Sequence, residues 1–284
     1  MLFNLLSTAT VGAVSYTPGI PSVIRFFQIS EKTSQSVLNI YILFYALGII
    51  LFGICSNIFG RKNCLYSGVG IALVGSFLSI MSYFTHSFAL LVLSRAITAL
   101  GSSAGLVLST TIVNDFYYAN QAKKIVSIIS ISFALVPYAF IAFSGFLVGN
   151  SGWVATFVLL FVYYIYIFCT IGFLPETHPI NHRSKFKLTS AARSFVGAWN
   201  DKRLRYFSFM FGLSTGIVYI YNVSAPFVSI DVLKIGPEEF GIINLALPLF
   251  FIFGNFFSAV FHKKIKSTQL ILIGLVMFIC SAVF

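Results

Sequence analysis

The sequence predicts an all-α, polytopic membrane protein with no separate soluble domain. Of its 284 residues, 58% are hydrophobic and only 9% are charged, whereas soluble domains carry about 25% charged residues. Its mean hydropathy is +0.94. Apolar runs of about 20 residues, the length that crosses a bilayer as a helix, recur along the whole chain.

Nine segments are predicted to span the membrane. They are Leu2–Ile24, Val37–Phe59, Leu65–Phe84, Phe88–Val113, Ile125–Val148, Trp153–Leu174, Tyr206–Ile230, Phe240–Phe261 and Gln269–Phe284. The last segment is shorter than the about 20 residues that a bilayer requires, and the chain ends inside it. We therefore expect the ninth span to be incomplete.

Basic residues predict the orientation. If Met1 is cytoplasmic, 14 of the 18 Lys and Arg residues fall in cytoplasmic loops, three fall in outside loops, and Arg95 lies within a span. Because cytoplasmic loops of membrane proteins carry an excess of Lys and Arg, this distribution predicts an inside N-terminus. The formal net charge of +11 is thereby explained by topology and by contact with anionic lipid headgroups, not by nucleic-acid binding.

A long polar stretch divides the chain. Residues 1–174 hold six spans, 175–205 form a predicted cytoplasmic linker, and 206–284 hold three more spans. Tyr16–Pro21 also resembles Tyr221–Pro226, which includes Asn222, at corresponding places in the two parts. Two related six-span halves, the second one incomplete, would produce this pattern.

Several motifs, taken together, resemble those of one transporter family. They are Tyr16, Pro18 and Pro21 in the first span, Gly53 with Gly60-Arg61-Lys62 after the second, Arg95 and Gly101 in the fourth, Pro137 and Gly145 in the fifth, Gly152-Trp153 and Pro175-Glu176-Thr177 around the sixth, and Pro226-Phe227-Val228 with Asp231 in the seventh. On these residues the chain resembles the major facilitator superfamily, specifically the drug/proton antiporters of the bicyclomycin-resistance (Bcr/CflA) type.

The resemblance implies a fold and an activity. Members of this family have two six-helix halves that rock around a central cavity, export amphipathic small-molecule drugs in exchange for protons, and lie in the bacterial inner membrane. The residues implied for the cavity are Tyr16, Pro18, Pro21, Arg95, Pro137, Gly145 and Asn222. Those implied for the cytoplasmic gating motif are Gly53, Asn57, Gly60, Arg61, Lys62 and Asp115.

The gating motif departs from the family at one position. Gly53 is expected to let helices approach closely, Gly60 to allow a tight turn, and Arg61 and Lys62 to anchor that turn. The acidic residue of the family falls at Asn57 in this chain. Two interpretations of Asn57 stay open, namely a remnant of the acidic position and a simple cap of the helix end.

Two further charged residues are functional candidates. Arg95 lies within the fourth span, where a cation is costly unless it faces protein or water. A role in the cavity and a structural buried pair both stay open for it. Asp115, at the inner end of the same span, is expected to pair with Arg61, although a solvated aspartate at the helix end is the alternative.

Proton coupling is the least supported part of the resemblance. The first-span carboxylate of the family falls at Val14, and its second fifth-span proline and first paired glycine fall at Ile141 and Ser144. All seven acidic residues lie at span ends or in loops, whereas coupling needs a titratable group within the cavity. Two interpretations therefore remain: an efflux antiporter, and a truncated, non-transporting remnant or membrane-associated component.

Other functional classes find no support in the sequence. No nucleophile with a base, phosphate-binding loop or metal-like spacing of Cys and His indicates an enzyme, a cofactor or a metal site. Tyr163, Tyr164 and Tyr166 could line a drug-stacking surface, with packing at the interface or against lipid as the favoured alternative. The expected partners are amphipathic drugs, protons and membrane lipids, and the oligomeric state stays open.

Overall fold

The prediction of an all-α, polytopic membrane protein is confirmed. A computed structural model describes residues 1–179, 196–261, 269 and 271–277. Within these ranges every regular element is a helix. Seven helical segments are long and apolar enough to cross a membrane.

From α1 to α8 the helices follow one another with short connections. The first part of the described chain contains α1 (Leu2–Val14), α2 (Ile20–Phe27), α3 (Glu31–Ser34), α4 (Ser36–Phe59), α5 (Arg61–Phe84), α6 (Phe88–Phe116), α7 (Ala119–Ser151) and α8 (Val154–Thr170). The later part contains α9 (Lys202–Pro226), a π-helical turn (Phe227–Val232), α10 (Pro237–Asn244) and α11 (Ala246–Phe261).

The first predicted span is not one continuous helix, so that prediction is corrected. α1 ends at Val14 and α2 begins at Ile20, with a 3₁₀ turn over Thr17–Gly19 between them. Pro18 lacks a backbone N–H and therefore interrupts the helical hydrogen bonding, while Pro21 occupies the first turn of α2, where a proline is tolerated. The interruption places Tyr16 in a turn within the bundle, where it is almost fully buried.

The eighth predicted span is also broken, between α10 and α11 at Leu245. The described contacts group the chain into two compact units at the same place, Met1–Asn244 and Leu245–Phe284. The proposed sequence division at 174 and 205 stays a prediction. In the second unit, α11 and residues 271–277 are helical. Half of the ninth predicted span lies outside the described residues, as do positions 180–195 of the linker.

α6 is the centre of the first unit. Its run Gly101–Gly105 is completely buried among α1, α4 and α5. A Cβ atom on Gly101 would lie 2.4 Å from the backbone of Gly68 in α5, and one on Gly48 in α4 would lie 2.7 Å from the carbonyl oxygen of Leu100. Small residues therefore allow backbone-to-backbone packing, the usual way in which helices associate in membranes.

The outward surface of these helices is apolar. Leu43, Leu47, Ile50 and Leu51 on α4, for example, each expose about half of their surface. The buried core instead lies between α1, α4, α5, α6 and α8. An apolar exterior around a tightly packed interior suits a helical bundle whose solvent is lipid.

Candidate functional site

Arg95 lies at the centre of the first unit, enclosed by aromatic rings. Its Cζ atom is 4.3 Å from the ring centroid of Tyr41, 4.7 Å from that of Tyr16 and 5.9 Å from that of Phe157. The residue has no exposed surface. Because α4, α8 and the turn after α1 each supply one ring, the site forms only where these segments meet on α6. We call Arg95, Tyr16, Tyr41 and Phe157 the arginine site.

The surroundings of Arg95 bear on both interpretations of this residue, the role in the cavity and the structural buried pair. Arg95 does not line an open cavity, because its side chain is fully enclosed. Nor does it form a buried ion pair, since the one ion pair among the described residues joins Arg61 and Asp115. Its Nη2 donates one long hydrogen bond, 3.4 Å, to the carbonyl oxygen of Ala13. Its Nε and Nη1 atoms have no hydrogen-bond partner among the described residues.

Tyr41 is held firmly in the arginine site. Its hydroxyl donates to the carbonyl oxygen of Ala9 at 2.8 Å and lies 2.9 Å from the Ser102 hydroxyl. A Cβ atom on Gly12 would clash with this hydroxyl, so the small residue in α1 is what allows the tyrosine to enter. Tyr41 and Phe157 were not predicted as site residues, because neither the periodicity nor the motifs of the sequence distinguish them from other aromatic residues on apolar helix faces.

A second group of predicted residues lies close to Tyr41. Val14 and Ile141, at two positions where the family carries other residues, pack in one buried cluster with Tyr41. Tyr138 and Tyr219 border the same cluster. Asn222 is buried and donates from Nδ2 to the carbonyl oxygen of Val218 at 2.8 Å. The predicted first-span and seventh-span positions therefore lie in one neighbourhood.

Gly145 and Pro137 have structural positions on α7. A Cβ atom on Gly145 would lie 2.2 Å from the carbonyl oxygen of Pro237 and 3.3 Å from the Cα of Gly241. The glycine therefore allows α7 and α10 to touch. Pro137 is buried within α7, which continues through it. Pro18 and Pro21 are likewise buried, in the turn beside Tyr16 and in the first turn of α2.

A second polar centre lies at the end of the bundle where α4 turns into α5, which we call the basic end. Arg61 Nε donates to Asp115 Oδ2 at 3.0 Å, so the predicted ion pair is present. Arg61 Nη1 donates to Ser56 Oγ at 3.1 Å and to Asn57 Oδ1 at 2.8 Å. Gly60 has φ +94°, a conformation that favours glycine.

Glu176 completes the basic end, and sequence analysis did not include it in the gating motif. Its two carboxylate oxygens accept hydrogen bonds from the backbone amides of Arg61, at 2.9 Å, and Lys62, at 3.2 Å. These amides belong to the first turn of α5, where donors lack helical partners and a negative charge is favoured. Lys62 Nζ donates to the carbonyl oxygen of Gly172 at 2.9 Å. The segment after α8 is thus tied to the start of α5.

Two expectations about the α4 end are corrected or refined. Gly53 does not enable a close helix contact, because a Cβ atom there would meet only Val107, at 4.0 Å. Gly48, more than a turn earlier, has that function. Asn57 does more than cap the helix: it donates from Nδ2 to the Gly53 carbonyl oxygen at 3.2 Å and also accepts from Arg61. The amide keeps the hydrogen bond to arginine without a charge.

The tyrosine cluster of α8 divides between two environments. Tyr163 and Tyr164 are buried, so the expectation of packing at the interface or against lipid is wrong for them. The Tyr163 hydroxyl donates to the Asn4 carbonyl oxygen at 2.8 Å and that of Tyr164 to the Thr8 carbonyl oxygen at 3.3 Å. Both tyrosines join α8 to α1. Tyr166 exposes 48% of its surface and fits the expectation.

The two centres differ in chemistry. The arginine site holds a positive charge with free donors between aromatic faces, which suits binding. The basic end is a network of hydrogen bonds and one ion pair between helix ends, which suits a contact that forms and breaks. Within the described part of the chain, no three His, Cys, Asp or Glu side chains are grouped to hold a metal ion.

Known proteins are similar to this chain in sequence and in fold. The family model of the Major Facilitator Superfamily matches residues 2–284. An uncharacterized transporter of Rickettsia bellii is 30% identical over 97% of this chain and 68% of its own length. A bicyclomycin resistance protein homolog of Haemophilus influenzae is 23% identical over 93% of this chain and 66% of its own length.

The fold agrees with that of a solved transporter. The crystal structure of a D-xylose-proton symporter superposes with a TM-score of 0.62 at 15% sequence identity, covering 93% of this chain and 69% of that one. The chain thus spans about two thirds of the length of each of these three proteins. From the family match over nearly all its residues and from the fold, we conclude that this chain belongs to the Major Facilitator Superfamily and has the fold of its transporters.

Proposed function

We propose that this protein exports amphipathic small molecules across the bacterial inner membrane, as a drug-efflux transporter of the bicyclomycin-resistance type. The observation that carries the proposal is the arginine site. A buried guanidinium surrounded by three aromatic rings lies where α1, α4, α6 and α8 meet, in a fold shared with a transporter. Aromatic faces bind apolar bodies, and a charged group fixes orientation.

In this proposal the basic end serves as the gate. Arg61, which is buried, and the more accessible Asp115 and Glu176 join the ends of α4, α5, α6 and α8. In such a pair the cost of removing the arginine from water offsets much of the attraction between the two charges. The pair is weak enough to break and form again as the two sides of the membrane open in turn. This end is proposed to face the cytoplasm, as the distribution of basic residues predicts.

Proton antiport is proposed with the family resemblance as its support, and one observation favours a second candidate. All seven acidic residues are described, and none lies in the arginine site. Val14 stands where the family has its first-span carboxylate. The second candidate is therefore a membrane-associated component that does not transport.

An export assay tests both candidates. The full chain is expressed in a bacterial host that lacks its own drug pumps, and resistance is measured to ethidium, a cation, bicyclomycin, which is neutral, and nalidixate, an anion. Resistance to at least one of them is expected, with its loss in Arg95→Ala and its retention in Arg25→Ala, an exposed arginine. No resistance to any compound contradicts the proposal. The absence of export favours the second candidate, and export that survives a protonophore contradicts proton antiport.

A further inference from the structure

The hydrogen-bonding capacity of Arg95 is largely unused. A guanidinium carries five N–H donors in one plane. Here one long bond from Nη2 reaches Ala13, and Nε and Nη1 bond to nothing among the described residues. Since the side chain has no exposed surface, bulk water does not satisfy these donors.

The charge of Arg95 also lacks an anionic partner. Asp115 pairs with Arg61, and Glu176 binds the backbone amides of α5. Glu238 Oε1 accepts from Asn150, and Asp201 accepts from backbone amides at the start of α9. The remaining acidic residues are Glu31, Asp231 and Glu239, and no ion pair links any of them to Arg95 in the described structure.

A buried charge in this state is energetically unfavourable. Removing an ion from water costs several kcal/mol even after the protein relaxes. The rings of Tyr16 and Tyr41 offset part of this cost through cation–π attraction. A contact between an N–H group and an aromatic face is, however, weaker than a hydrogen bond to an oxygen atom. The Tyr41 hydroxyl is already engaged with Ala9 and Ser102.

The free donors and the aromatic walls define a ligand. The fork of N–H groups on arginine fits an anionic oxygen group, such as a carboxylate, through two parallel hydrogen bonds. The walls supplied by Tyr16, Tyr41 and Phe157 fit a flat, apolar body. A cationic molecule would instead be repelled by the unpaired charge, and no carboxylate of the described chain lies there to attract it.

We propose that the arginine site binds amphipathic organic acids, with the anionic oxygen group on Arg95 and the apolar body between the rings. This rests on the proposed transport function and names its substrate class: organic anions in preference to cations or neutral compounds. In the enclosed form described here the site is shut, so the ligand enters in a conformation in which one ring moves aside.

A binding experiment with three matched probes tests the proposal. The full chain is placed in nanodiscs of neutral phosphatidylcholine, and equilibrium binding of radiolabelled benzoate is measured. Benzamide, which is neutral, and benzylamine, which is a cation, serve as competitors of the same size. We expect benzoate to bind at least ten-fold more tightly than either. Equal or tighter binding of benzamide or benzylamine overturns the proposal.

Variants connect the binding to Arg95. Arg95→Gln is expected to lower benzoate affinity at least ten-fold, Arg95→Lys to retain part of it, and the control Arg25→Gln to leave it unchanged. Undiminished binding by Arg95→Gln overturns the proposal. If Arg95→Gln does not fold, the proposal is still tested by two measurements. They are the preference of the wild-type chain for benzoate over benzamide and the benzoate affinity of Arg95→Lys.

Other anions are distinguished in the same experiment. Sulfate, added at the same concentration, is expected not to displace benzoate, because it has no apolar body. Replacing part of the phosphatidylcholine by phosphatidylglycerol is expected to leave benzoate affinity unchanged. Displacement by sulfate overturns the preference for organic acids, and loss of binding in the anionic lipid assigns the site to a lipid headgroup and overturns the small-molecule assignment.

The inference and the proposed function fail separately. Arg95-dependent binding of benzoate without export of any test compound contradicts the transport function and leaves the anion site standing. Export of ethidium or bicyclomycin by a chain that does not bind benzoate contradicts the anion site and leaves the transport function standing.

Discussion

Glu176 accepts a hydrogen bond from the backbone amide of Arg61 at 2.9 Å, across 115 residues of sequence. Its second carboxylate oxygen accepts from Lys62. One side chain after α8 thereby caps the N-terminus of α5 while the side chain of Arg61 pairs with Asp115 at the end of α6. The turn at Gly60 is fixed from two directions.

Replacing Glu176 should loosen this turn. Glu176→Ala is expected to lower the free energy of unfolding by about 0.5–2 kcal/mol, the usual effect of losing a helix cap. Glu176→Gln, which keeps one acceptor oxygen, should lose less. The melting temperature of the purified protein measures both. Glu239→Ala, which removes an exposed carboxylate, is the control, and a loss in the control equal to that in Glu176→Ala would contradict the capping role.

Two glycines should respond differently to one added methyl group. Gly145→Ala places a Cβ atom against the Pro237 carbonyl oxygen, so destabilisation by about 1–3 kcal/mol is expected from overpacking. Gly53→Ala meets only Val107 at ordinary contact distance, and alanine favours a helix over glycine by about 1 kcal/mol. Melting temperatures of the two variants should therefore shift in opposite directions. A larger loss at Gly53 would show that the described packing is wrong.

The two buried arginines should differ when each is replaced by methionine. Arg95→Met removes an unpaired charge and keeps an apolar side chain of similar length, so the free energy of unfolding without ligand should fall by less than about 1 kcal/mol, or rise. Arg61→Met removes the guanidinium that donates to Asp115, Ser56 and Asn57. It should lower the free energy of unfolding by about 1–3 kcal/mol. Thermal unfolding in detergent compares them. A greater loss for Arg95→Met would indicate a structural role for Arg95.

The orientation of the chain is tested by reporter fusions. Because basic residues concentrate in the loops that are predicted to be cytoplasmic, fusions after Lys185 should be active as green fluorescent protein and inactive as alkaline phosphatase. Fusions after Lys234 should show the reverse. The same pattern at both positions would contradict the predicted topology.

Features that depend on the position of a residue along one helix could be predicted from the sequence. Seven of the nine spans, the second to the eighth, follow from apolar length. The Arg61–Asp115 pair follows from two helix ends at the same end of the bundle. The break near Tyr16 was missed because an apolar run conceals a proline-induced turn. Pro18 indicated a turn at this place, but the span was predicted from its hydropathy alone.

Contacts between distant segments could not be predicted in the same way. Nothing local distinguishes Tyr41 from the neighbouring Tyr45, and only the close packing of α4 on α6 places its ring over Arg95. For the same reason, the sequence does not tell whether Gly48 or Gly53 contacts α6. Both are glycines on α4, and which of them faces α6 depends on the rotation of the helix, which the sequence pattern of an all-apolar helix does not determine.

Gly48, in the interface between α4 and α6, influences the positions of residues that it does not contact. Because Gly48 brings α4 against the backbone of α6 at Leu100, it sets how far apart the two helix axes lie. Tyr41 and Arg95 belong to these same helices, so the 4.3 Å between ring and guanidinium depends on that separation. A single methyl group at Gly48 would push α4 away from α6 along the whole contact between the two helices. The distance between the Tyr41 ring and the Arg95 guanidinium would therefore increase.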